Sequence, residues 1–195
     1  MTVAADCIRQ AQIITMDPSD ILTKEMILAA LRRLDELLRE KGIIGEICIF
    51  GGAAMVLAFD ARESTRDVDA VFVPKDHVLD CARLVASEFG IDDDWMNNGV
   101  KGFISDKAEV THEGMPVFDN LRVMRPTTEY LLAMKCLASR VGPISDRADV
   151  ITLLHLLKMY DSAAVCDLVS QYYSERLLAP KVRFFIEEII EEIRP

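Results

Sequence analysis

Apolar residues recur along this chain with two periods, and the change from one to the other organises it. From Thr23 to Arg39, Ile27, Leu31, Leu34 and Leu38 stand four, three and four apart, while Lys24, Arg32, Arg33, Asp35 and Glu36 fill the other side. That is the spacing of an amphipathic helix, and Lys41-Gly42 supplies a stop with glycine free to take a left-handed cap. Glu46–Phe50 is short, apolar and β-branched and predicts a strand. Gly51-Gly52 turns the chain into Ala53–Phe59, a short packed helix. Val68–Val73 predicts a second strand closed by Pro74, and Asp76–Phe89 a second amphipathic helix.

Gly90–Gly102 is polar and rich in turn formers. Glu109–Thr111 and Asn120–Met124 predict further strands, and beyond Pro126 the pattern is helical throughout. Thr127 suits an N-cap; helices are expected over 128–140, 146–159, 162–173 and 181–193. Val182, Phe185, Ile186, Ile189, Ile190 and Ile193 mark the last as core or an oligomer seam. The whole predicts an α+β fold. Residues 1–125 form a small mixed sheet flanked by helices, with the N-terminal helix, and 126–195 form a C-terminal helical bundle.

One strand breaks its own pattern. Asp67 and Asp69 flank Val68 at the start of an otherwise apolar segment. Residues i and i+2 of a strand point to one side, so the two carboxylates share a face while Val68 turns into the core. Two anions so placed repel, and a divalent cation between them removes the repulsion. Hard oxygen ligands with room for water and phosphate oxygens suit Mg²⁺. Gly51-Gly52 brings bare backbone N–H groups and a helix N-terminus to the same edge, where a phosphate would sit. Ser64 and Thr65 offer hydroxyls to it, and Arg66 a charge. The competing reading pairs the aspartates with Arg62 and Arg66.

Composition narrows the picture. The 195 residues carry 22 Lys and Arg against 32 Asp and Glu, a net charge of −10, which excludes a general nucleic-acid coat. Nucleic-acid contact would need a local patch drawn from Arg122, Arg125, Lys135, Arg140 and Arg147. Cys7, Cys48, Cys81, Cys136 and Cys166 are widely spaced among apolar neighbours and read as buried thiols in a reducing compartment. No secretory pattern and no membrane-spanning run is evident, so a cytoplasmic protein is expected. His77, His112 and His155 share no ligand spacing. Trp95, beside Asn97 and Asn98, serves either as a loop anchor or as a base-stacking group.

The segments FGGAAMVLAF and RESTRDVDAVF, followed by WMNNGVKGF, LRVMRPTTEYLLAMKCLASR and DRADVITLLHLL, resemble the DNA polymerase beta-like nucleotidyltransferase superfamily over roughly residues 45–157. The likeness is closest to its minimal bacterial branch, which includes the AbiE-type toxins. The resemblance implies that Gly51 and Gly52 hold nucleotide phosphates and that Ser64 is the small hydroxyl residue before the acidic pair. It implies that Asp67 and Asp69 bind metal, that Lys135 contacts phosphate, and that Asp146 and Asp149 form the later acidic motif. A third carboxylate on a later strand is the family's pattern. Glu109 is the best-placed candidate, with Asp106 and Asp119 behind it, and none lies in a clear apolar strand.

The expectation is therefore a Mg²⁺-dependent nucleotidyltransferase moving a nucleotidyl group from a nucleoside triphosphate to a tRNA or protein acceptor. Asp67, Asp69, Lys135, Asp146 and Asp149 form its catalytic set, and a cognate antitoxin or a second copy of the chain is its expected partner. The alternative is a catalytically silent nucleotide-binding or regulatory module of the same fold. A third class is a helical interaction protein that self-associates through residues 160–195.

Overall fold

The computed structural model describes residues 21–138 and 144–194. In chain order the elements are β1 (Leu22–Thr23), α1 (Lys24–Glu40), β2 (Gly45–Ile49), α2 (Gly51–Phe59), β3 (Ser64–Thr65), β4 (Val68–Val73) and α3 (Lys75–Phe89). They continue with β5 (Met96–Asn97), a 3-10 turn (Gly99–Phe103), β6 (Val110–Thr111), β7 (Leu121–Pro126), α4 (Thr128–Ala138), α5 (Ile144–Leu157), α6 (Ser162–Tyr172) and α7 (Pro180–Ile193). The fold is α+β.

Five strands form one mixed sheet in the order β5-β4-β2-β7-β6. β2 runs antiparallel to β4 and parallel to β7, and β4 runs parallel to β5. The pleat sorts the sheet into two unlike faces. Ile47, Ile49, Val68, Ala70, Phe72, Leu121 and Val123 are buried on one. A Cβ placed on Gly45 of that face would meet Leu38 of α1 at 2.8 Å and Val78 of α3 at 3.6 Å, which locates both helices. The other face carries Glu46, Cys48, Val71, Arg122 and Met124 and is largely half-buried or open, with Val73 54% exposed. Asp67 and Asp69 lie on this second face, as their parity requires.

Local chemistry explains the boundaries. Thr23 caps α1 by accepting from the Met26 N–H, and Gly42 leaves it at φ +67°. The diglycine does not precede α2 as the sequence suggests but forms its first turn, one residue after β2. Gly90–Gly102, expected to be a plain loop, holds β5 and most of the 3-10 turn. β1 and β3 pair as an antiparallel ribbon that no periodicity announces, each being two residues long. Arg140 and Cys7 lie outside the described residues. The other four cysteines are free and buried, and burial pushes the Cys48 and Cys136 thiols up to about 12. Among the described residues no helix is long and apolar enough to cross a membrane.

Among the described residues after Pro126, the regular elements are α4 to α7 and one 3-10 turn, Glu175–Leu177. α7 lays Val182, Ile186, Ile189 and Ile190 against α4, α5 and α6, so its isoleucine stripe is spent on this chain's own core. Truncating fully buried Ile189 to alanine should cost about 2–5 kcal/mol. Urea melts at two protein concentrations check both points: the loss should be the same at each, whereas a concentration-dependent loss would mean that the stripe also meets a second copy.

Candidate functional site

The junction of β2 and α2 builds one end of a cleft. Phe50 alone separates the two elements, and its N–H donates to the Asp69 carbonyl at 2.8 Å, locking the start of α2 against β4. Gly51 sits at φ +60°, where other residues are strained. A Cβ there would lie 3.1 Å from Asp69 Oδ2. At Gly52 a Cβ would stand 2.6 Å from Thr65 Oγ1 and 3.3 Å from Arg62 Nη1. Side chains at these positions would crowd Asp69 at Gly51 and Thr65 and Arg62 at Gly52, so the start of α2 packs bare backbone against those three residues.

The carboxylate pair sits beside them. Asp67 and Asp69 are both half-buried and flank fully buried Val68. The β4–β5 register places Asn97 opposite Asp69, and Asn97 Nδ2 donates to Asp67 Oδ2 at 2.9 Å. Burial, and then the charge of Asp67, raise the Asp69 carboxyl above the usual aspartate range; the Asn97 hydrogen bond and the charge of Lys135 pull it back only in part. The Asn97 oxygen is taken by the Gly99 N–H, so the protein's own hard-oxygen donors here are the two half-buried carboxylates, which suit a Mg²⁺ that keeps its remaining positions for water and phosphate oxygens.

A charged cluster closes the same end. Arg62, in the segment between α2 and β3, gives Nε and Nη2 to the two oxygens of Asp149 at 2.6 and 2.5 Å. Lys135 Nζ lies 2.7 Å from Asp149 Oδ2 and 2.9 Å from Asp146 Oδ1. Arg62 Nη2 reaches Asp146 at 3.4 Å. The Asp149 side chain is 1% exposed and has both oxygens engaged, whereas that of Asp146 is 20% exposed. Arg62 is drawn to these acids, 84 and 87 residues away, and not to the aspartate pair. Lys135 is buried and does not snorkel outward.

All ten residues expected from the sequence except one line a single cleft of about 1250 Å³: Gly51, Gly52, Ser64, Thr65, Arg66, Asp67, Asp69, Lys135 and Asp146. Asp149 stands behind Arg62 and Lys135. No family model, curated protein or solved structure matches this chain. The far wall comes from the 3-10 turn and the helical region, with Val100, Phe103, Met134, Tyr173 and Leu177 among its residues.

The candidates for a third carboxylate scatter. Asp106 lines the cleft, Glu109 accepts from the Tyr172 hydroxyl at 3.0 Å, and Asp119 precedes β7 at the opposite end of β2. On the strand parallel to β2, the positions sharing the aspartates' face are Arg122 and Met124. Among the described residues no group of three or more His, Cys, Asp or Glu side chains is arranged to hold a metal ion.

The remaining candidates fall elsewhere. Trp95 is 1% exposed and donates to the Ala82 carbonyl at 3.0 Å, so it anchors the loop and does not stack on a ligand. Arg125 is buried over the Phe59 ring, Arg122 pairs with Glu46, and Arg147 pairs with Glu188 and Glu192. Each of these arginines is engaged separately. His112 bonds the Val123 carbonyl and His155 contacts Tyr160. Sequence reasoning missed Arg62 as a partner of the later acids and Asn97 as a neighbour of the pair. The polar run Trp95–Asn98 was the available signal for the second.

Two stability measurements probe this geometry. The unfolded chain ionises Asp69 at the ordinary aspartate value and the folded, metal-free chain does so at higher pH. The penalty is therefore absent below the unfolded value and enters as pH rises through the window above it. Asp69→Asn should melt higher than the parent in Mg²⁺-free buffer at pH 7, with the gap closing as the pH falls to about 4. Equal melting at pH 7 would show the pair to be unstrained. Asp149→Asn strands two cations at the cleft and should cost about 3–5 kcal/mol in urea melts, well above the loss for the more exposed Asp146→Asn. Equal losses would remove Asp149 from its clamping role.

Proposed function

We propose that the cleft binds a nucleoside triphosphate with Mg²⁺ and transfers its nucleotidyl group to an acceptor. The observation that carries this is the convergence of two same-face aspartates, a bare glycine helix start, and Arg62 and Lys135 at one end of one cleft. Asp67 and Asp69 would hold the metal, whose charge offsets that of the phosphates as pyrophosphate departs. The Gly51-Gly52 backbone donates to phosphate oxygens, aided by Ser64 and Thr65. Lys135 and Arg62, held in place by Asp149, supply positive charge. An acceptor oxygen attacks the α-phosphorus, the bond to the bridging oxygen breaks, and pyrophosphate leaves. The acceptor's proton passes to Asp146 or Asp106, the cleft carboxylates outside the pair.

A tRNA or protein acceptor, toxin-like action and a cognate antitoxin follow from the family resemblance alone. Of the basic residues offered for a tRNA patch, Arg122, Arg125 and Arg147 are each engaged by separate partners, which weighs towards the protein acceptor. Incubation with each α-labelled nucleoside triphosphate, Mg²⁺ and total RNA or protein should transfer label. Asp67→Asn should reduce the transfer at least about 100-fold, the range for losing a positioned electrostatic group. Transfer that survives this substitution would refute the assignment.

A second reading has its own support. Met124 stands in register on the aspartates' face of β7, and no described acid joins the pair as a third ligand. A silent nucleotide binder would show calorimetric binding of nucleotide with Mg²⁺ and no transfer of label by the parent protein.

A further inference from the structure

The apolar wall of the cleft asks for a ligand of its own. Phe103 is 70% exposed although it lines the cleft beside Val100 and Leu177. A lone exposed ring needs no explanation on an open surface, but one that lines a cleft with other apolar residues offers the kind of surface ligand sites use. The segment that carries it is firmly held. The Tyr173 hydroxyl donates to the Phe103 carbonyl at 2.9 Å. The Ser105 N–H donates to the Tyr130 hydroxyl at 2.8 Å, and Ser105 Oγ donates to the Tyr172 carbonyl. Lys107 Nζ reaches the Gln171 carbonyl at 3.0 Å. Tyr130 and Tyr173 are themselves stacked, with centroids 6.1 Å apart. A segment tied down at four points, two of them through its backbone, presents a ring that is mostly open.

The position of the ring relative to the carboxylates identifies what it would meet. Asn97 bonds Asp67, and a Cβ on Gly99 would lie 3.9 Å from Asp69 Oδ1. From Gly99 the 3-10 turn climbs to Phe103 in four steps, about 8 Å at its usual rise. A ligand with its phosphates at the aspartates and glycines would therefore reach Phe103 with whatever lies one sugar away. The cations lining the cleft are Arg62, Arg66 and Lys135; Lys135, on α4, is turned to Asp146 and Asp149, and none comes from the 3-10 turn that carries Phe103. Lys101 of the turn and Arg176 beside Leu177 are exposed but are not among the residues that line the cleft, so the surface the wall turns inward is apolar and offers a face to a flat, uncharged heterocycle. Resting on the nucleotide reading above, we infer that Phe103 is the stacking platform for the nucleobase, which Trp95 cannot be.

Calorimetry in Mg²⁺ with two probes, ATP and inorganic triphosphate, tests this. The parent should bind ATP more tightly than triphosphate. Phe103→Ala, at an exposed position, should weaken ATP binding about 10-fold and leave triphosphate binding unchanged, and Phe103→Trp should restore ATP binding. A Phe103→Ala protein that binds ATP as the parent does, or that loses both probes equally, overturns the platform. If the parent binds both probes equally, the platform falls while the phosphate end stands. If it binds neither, the nucleotide reading falls and takes the platform with it.

Discussion

A carboxylate almost out of contact with water holds the two parts of this molecule in register. Asp149, on α5, takes a guanidinium from the segment after α2 and an ammonium from α4 at the same time. A buried charge is tolerable only when its partners satisfy it. Here the partners come from different regions, so the pairing also sets where the helices stand relative to the sheet. The cleft is the space left between them, and the two cations at one end are held there by that tether. Asp146 shares the same cations from a more exposed position, so the cluster is close to neutral in the absence of ligand.

The aspartate pair answers to the opposite logic. Asp67 and Asp69 are kept near one another by the strand's pleat, and the surroundings make ionisation of Asp69 harder. Nothing in the packing of Val68 or Ala70 needs two acids there. Groups that a fold holds against their electrostatic preference are the mark of a site whose stabilisation comes from outside the chain. Cation, phosphate and ring would each meet a different part of the same cleft.

Much of this was legible from residue order. The alternation around Val68 placed both aspartates on one face, and the spacing of Ile27, Leu31, Leu34 and Leu38 gave α1 its buried stripe. These are short-range periodicities, and short-range geometry is what a sequence displays. Arg62 and Asp149 are 87 residues apart, and no local pattern couples them; they meet because α4 and α5 fold back on the sheet. Likewise β1, β3 and β5 are two residues each, too short to show a period. Asn97 therefore entered the site only through the register of β5 on β4. Trp95 stayed open between loop anchor and stacking group for a related reason: only the packed loop, which tucks it beneath α3, decides for the anchor.

The union of β2 and α2 has a mechanical corollary. With Phe50 as the sole residue between them and its amide fastened to β4, that corner has no slack. The glycines and aspartates move with the sheet as one stiff block. The opposite bank is braced as well, by the Tyr173 hydroxyl on the Phe103 carbonyl and by the Tyr130 hydroxyl under the Ser105 N–H. With both banks fixed by the fold, an occupant must suit the gap as it is built.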